Sequence, residues 1–204
     1  MADKNMILSA DAEEKLLKPI DEYVGKIQAQ IDELRVDGSD KVRSLKNHIA
    51  IAKEDKNLSK EEKDSIIAKD KAALEKAKAV EAANKDKVAK LIADAEGYLK
   101  EHYDSEYYSK VVASCETEKA AENESYERIK ATLKTEHEQT LAKLSDPEEI
   151  KDEKYVYKNK LFDAQMTHES RLQEIKDRKH DAFSHKYHLI DLLRMSKYTF
   201  MQSR

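Results

Sequence analysis

Leu17, Ile20, Val24, Ile27, Ile31 and Leu34 recur at intervals of 3, 4, 3, 4 and 3 residues. An α-helix gathers positions spaced this way onto one narrow stripe, and such a stripe is buried against another helix. Few residues interrupt the rest of the chain: it has three glycines and two prolines among 204 residues. Charged residues are as frequent as hydrophobic ones, 39% each. That balance, with few aromatics, is also found in disordered chains, but the periodic apolar positions argue for packed helices. The expected fold is all-α: an elongated antiparallel helical bundle or coiled coil of four to five helices.

Taken in order, Ser9 is the expected first N-cap, with Asp11, Glu13 and Glu14 near the positive end of the helix dipole. Pro19 is expected to kink or end that helix near its start. Asp37-Gly38-Ser39-Asp40 reads as a turn with Gly38 in the left-handed cap conformation. Val42, Leu45, Ile49 and Ala52 then form a second, shorter helix, which the short connection predicts to run antiparallel to the first. Ser59 and Glu62 have the spacing of a capping box. The third helix has an expected core face of Ile67, Leu74, Ala77, Val88, Leu91, Ala95 and Tyr98. Tyr98, Tyr103, Tyr107 and Tyr108 are read as an aromatic cap at a bundle end.

A fourth helix is expected to carry two apolar patches. One is Val111, Val112 and Cys115, and the other is Tyr126, Ile129, Leu133, Leu141 and Leu144. Between them Glu116 to Ser125 is almost wholly polar, which predicts a solvated or poorly packed middle. Pro147 suits the first position of the last helix. Its stripe is Ile150, Tyr157, Leu161, Ala164, His168, Leu172 and Ile175. Residues 1–144 thus read as helical hairpins, with helices at about 10–36, 41–53, 59–99 and 104–144. Residues 145–204 read as one long C-terminal helix with a basic amphipathic end.

No residue set points to catalysis. The chain lacks a Gly-rich phosphate loop, HExxH and GxSxG. None of the seven histidines sits in Glu-x-x-His, the ligand pattern of di-iron bundles. No metal, cofactor or enzymatic activity is expected. The single Cys115 precludes an internal disulfide and suits a reducing compartment. A pI near 6.0 argues against a nucleic-acid partner. Met1 to Ser9 has no signal-peptide pattern, and no apolar run nears the ~20 residues of a spanning helix. A soluble cytoplasmic chain is expected.

The charge is uneven. From Lys176 onward seven Lys/Arg face three Asp, a local +4 in a chain of net charge −4. Within this end Leu189, Leu192, Leu193 and Phe200 share a helical face, with Arg194, Lys197 and Arg204 nearby. A basic amphipathic segment of this kind lies on an anionic membrane surface, docks on a partner, or closes its own bundle.

Two stretches carry a resemblance. Glu149 to Ala164 reads EIKDEKYVYKNKLFDA, and Tyr187 to Met201 reads YHLIDLLRMSKYTFM. Together they resemble the cytosolic N-terminal extension of ribose/galactose-type sugar ABC transporter permeases from Firmicutes. The resemblance implies a non-enzymatic cytosolic coiled-coil domain at the inner face of the membrane. It would act as spacer, assembly or regulatory element beside the transporter subunits, and transport itself would lie beyond Arg204. The other reading is a free-standing scaffold that forms a homo-oligomer through the Leu17–Leu34 seam.

Overall fold

The computed structural model describes residues 7–202, so Arg204 and the first six residues of the expected signal-free N-terminus lie outside the described residues. The described residues are all-helical, with no strand among them. The α-helices are α1 (Ala10–Arg35), α2 (Lys41–Glu54), α3 (Lys60–Tyr98), α4 (Ser109–Leu141) and α5 (Pro147–Gln202). Two π-helical segments, Val36–Asp40 and Leu99–Tyr108, join α1 to α2 and α3 to α4 without a break. The chain therefore forms three long helical runs, 10–54, 60–141 and 147–202, rather than four or five separate rods.

The turn expected at Gly38 is absent. Arg35, Asp40 and Lys41 all have right-handed helical dihedrals, and no glycine has positive φ. Consequently α2 does not fold back on α1. Tyr23 stacks on Tyr98 at 3.9 Å, Asn84 Nδ2 donates to the Leu34 carbonyl at 2.9 Å, and His48 meets Asp70 at 2.6 Å. Those pairs step down α3 as they step up α1 and α2, so both run antiparallel to α3. Similarly, α1 runs through Pro19. The capping box does form: Glu62 N donates to Ser59 Oγ at 3.3 Å and Ser59 N to Glu62 Oε2 at 2.9 Å.

The chain divides into two compact units. One comprises residues 14–106 and 185–202, in the described range. Its core is Ile20, Val24, Ile27 and Ile31 of α1, Val88, Ile92 and Ala95 of α3, Leu99 and Tyr103, and Leu189, Leu193 and Phe200 of α5. The α5 end is tied in by His185 Nε2 to Asp21 (2.8 Å) and Lys186 Nζ to Asp104 (2.7 Å). On α3, Ala77, Val88 and Ala95 are buried as their spacing predicts, while Ile67, Leu74, Leu91 and Tyr98 are half-buried. Asn84 and Asp70 are buried instead, each satisfied by the bonds above.

Gly38 is needed for close approach. A Cβ there would sit 3.2 Å from Glu81 Cα and 3.3 Å from Asn84 Nδ2. Gly25 and Gly97 would meet nothing within 4 Å. Glycine costs a helix about 1 kcal/mol relative to alanine, whereas overpacking costs about 1–3 kcal/mol. Gly25→Ala and Gly97→Ala are therefore expected to raise the unfolding midpoint, and Gly38→Ala to lower it. Urea denaturation of the three variants checks the opposite signs.

The other unit comprises residues 7–13 and 107–184 in the described range. Asp146 Oδ1 accepts from the Glu148 amide at 2.8 Å and caps α5 just before Pro147. His137 on α4 meets Glu153 on α5 (3.0 Å), and Glu122 on α4 meets His168 on α5 (3.1 Å). The residue numbers rise on one helix as they fall on the other, so the two are antiparallel. Every member of the expected α5 stripe, from Ile150 to Ile175, is only half-buried. A helix covered on one side by a single neighbour has that pattern. Ile129 is 45% exposed rather than part of an apolar patch; Lys130 takes the inward place, 5.1 Å over the Tyr126 ring.

The tyrosines do not cap a bundle end. Tyr103 and Tyr107 are buried in the π segment in the middle of the 60–141 run. Leu99, Tyr103, Tyr107 and Val111, all buried, recur every four residues. That interval drifts off an α-helical face but suits the wider π turn.

Candidate functional site

The polar stretch Glu116 to Ser125 lies on α4 beside Arg178 of α5 and the first turn of α1. Arg178 holds these three pieces together. Its Nη1 donates to Glu118 Oε2 at 3.0 Å, and its Nη2 donates to Glu118 Oε1 and, at 3.2 Å, to Ser114 Oγ. Nε stands 3.3 Å from Glu13 Oε1. Ser114 is fully buried; its hydroxyl donates to Glu118 Oε1 at 2.9 Å and accepts from the Leu8 amide at 2.8 Å. Small size explains why serine sits there: it fits between helices while bonding both to a side chain and to a stray amide.

Two carboxylates thus share one guanidinium. Burial pushes the Glu13 carboxyl up from its usual value, Arg178 pulls it down, and Glu118 adds to the rise. Arg178 is held protonated more firmly than usual, chiefly by its hydrogen bonds to Glu118. Burial also pushes the Cys115 thiol up, against the pull of Arg178.

Beside this cluster opens a cleft of about 630 Å³, lined by Ile7, Glu118, Ala121, Glu122, Ser125, Arg171, Glu174, Ile175 and Arg178. It is the loosely packed middle that the polar run predicts. Two histidines of the α4–α5 pair, one near the α4–α5 loop and one beside the cleft, are held in the same way. His168 stacks on Tyr126 (4.2 Å, 5°) and bonds Glu122, while His137 stacks on Tyr157 (4.2 Å, 9°) and bonds Glu153. In each case the Glu and Tyr are four apart on the opposing helix, the spacing that puts them on one face. Among the described residues no group of three or more His, Cys, Asp or Glu could hold a metal ion.

The residues singled out in the sequence fall as follows. Ile20, Val24, Ile27 and Ile31 of the seam are buried, and Leu17 and Leu34 are half-buried. Near the end of α5, Leu189, Leu193 and Phe200 are buried, Leu192 is half-buried, and Arg194 and Lys197 are exposed. The exposed side of this segment also carries Met195, Tyr198 and Met201. The Arg178 cluster was not marked by sequence: Arg178 is one of seven basic residues from Lys176 onward, and Ser114 and Glu118 follow no motif.

Among the described residues no helix is long and apolar enough to cross a membrane. No curated protein and no solved structure matches the chain. A family described as the N-terminal domain of the ABC transporter permease MglC, a sugar transporter, matches residues 9–203. That match covers all five α-helices and nearly the whole sequence, and the chain belongs to this family of permease N-terminal domains.

Proposed function

We propose that this domain is a non-enzymatic cytoplasmic module of a sugar ABC transporter permease. It lies at the inner membrane face and acts as spacer, assembly or regulatory element beside the transporter subunits. Its helices work as antiparallel coiled-coil pairs, with the Leu17–Leu34 seam satisfied inside its own unit. The family match supports the transporter assignment. The division of the α5 end into two faces supports the membrane contact. Leu189, Leu193 and Phe200 turn inward, while Met195, Tyr198 and Met201 stand exposed beside Arg194 and Lys197. Cationic groups and amphipathic rings on one side of a helix suit an anionic lipid headgroup layer.

Deleting residues 186–204 would strip three core side chains, so charge reversal is the better test. The wild-type chain is expected to sediment with phosphatidylglycerol vesicles, less so as salt rises. Losing two basic contacts at about 1 kcal/mol each weakens binding roughly 30-fold, and Arg194→Glu with Lys197→Glu should lose at least that. Equal sedimentation of the two proteins would remove the membrane contact from this reading.

A further inference from the structure

We infer that the outward face of α5 pairs antiparallel with the same face of a second copy of this chain. The face is separate from the one α5 turns to α4, and it lies within the 147–184 portion. Tyr155, Phe162 and Met166 stand on it at 67, 60 and 49% exposure. These three are 7 and 4 residues apart, which sets them on one side of the helix, with charged residues before and after them.

Charge selects both the partner and the direction. Lys151 and Lys158 lie on this face and make no ion pair among the described residues. Glu169 and Asp177 accept only from the neutral amides of Gln165 and Gln173 on their own helix. Parallel pairing in register would set each lysine against itself and Glu169 against Glu169, which is repulsive. Antiparallel pairing centred on the Phe162–Met166 turn brings Lys158 towards Glu169 and Lys151 towards Asp177 of the other copy. The lysine stems cover the exposed rings and thioether. Each contact occurs twice about the twofold axis. This inference does not depend on membrane binding.

Sedimentation equilibrium of the whole chain over a concentration series is expected to fit a monomer–dimer equilibrium. Phe162→Glu combined with Met166→Glu should remain monomeric at concentrations where the wild type is dimeric. Its helicity by circular dichroism should be unchanged, since both side chains are exposed. A short bifunctional thiol reagent should join two chains carrying Phe162→Cys but not two carrying Glu148→Cys, with the buried Cys115 of the wild type giving the background. A wild type that stays monomeric throughout, or a glutamate variant that dimerises equally well, would overturn the inference. Equal cross-linking from positions 148 and 162 would do so too, because it requires parallel chains.

Discussion

Arg178→Ala is expected to destabilise the α4–α5 unit by about 2–3 kcal/mol at neutral pH. Removing one member of a buried ion pair costs roughly 3–5 kcal/mol; the smaller figure reflects an Arg178 side chain that is 31% exposed. The loss leaves Glu13 and Glu118 close together without their shared cation and removes one partner from the Ser114 hydroxyl. It should also depend on pH. Glu13 already has a carboxyl raised above its usual value in the folded state. The folded form therefore holds a proton in the window just above that usual value, where the unfolded form does not, and stability falls as pH rises through it. Arg178 opposes this rise, so its removal should steepen the fall. Urea denaturation near pH 4 and near pH 7 should show the variant's deficit growing with pH. A deficit equal at both would remove the link to Glu13, and no deficit at either would mean that Arg178 holds nothing in place.

Ile31→Ala is expected to cost about 2–5 kcal/mol, the range for truncating a fully buried aliphatic side chain. Ile31 has no exposure and sits near the end of the α1 seam, where Asn84 also ties α3 to the Leu34 carbonyl. Val36→Ala, five residues on and 57% exposed, should stay within about 0.5 kcal/mol. The comparison is made by the unfolding midpoint of each variant in the same denaturant series. Similar midpoints for the two would mean that the seam residues are not the core of their unit.

These two positions differ in how visible they were beforehand. Ile31 belongs to a periodic set, and periodicity is a property of the sequence itself. Arg178 acquires its role only when α4, α5 and the first turn of α1 meet, and no local spacing records that meeting. The polar run Glu116–Ser125 did announce an open middle, but not the arginine that bridges it. The end of α5 was legible in half. Leu189, Leu193 and Phe200 share a stripe, yet a stripe alone does not say whether its own bundle or an outside partner covers it. At Asp37-Gly38-Ser39-Asp40 the composition misled. Each of those residues favours turns, but packing against Glu81 and Asn84 holds them helical, and the intervals Leu34, Gly38, Val42, Leu45 never leave the 3-and-4 rhythm. Small size at Gly38 serves proximity there, not chain reversal.

The π segment around Gly38 works as a gear between two threads. A turn closed by i→i+5 bonds takes in one residue more than its neighbours, so it resets the rotational phase of everything downstream. Deleting one residue between Val36 and Asp40 would leave an unbroken rod but rotate α2 by about 100°. Val42, Ile49 and Ala52 would swing out to water, and lysines such as Lys46 and Lys53 would be carried towards α3. Length at this joint is therefore as strictly set as any side chain in the core.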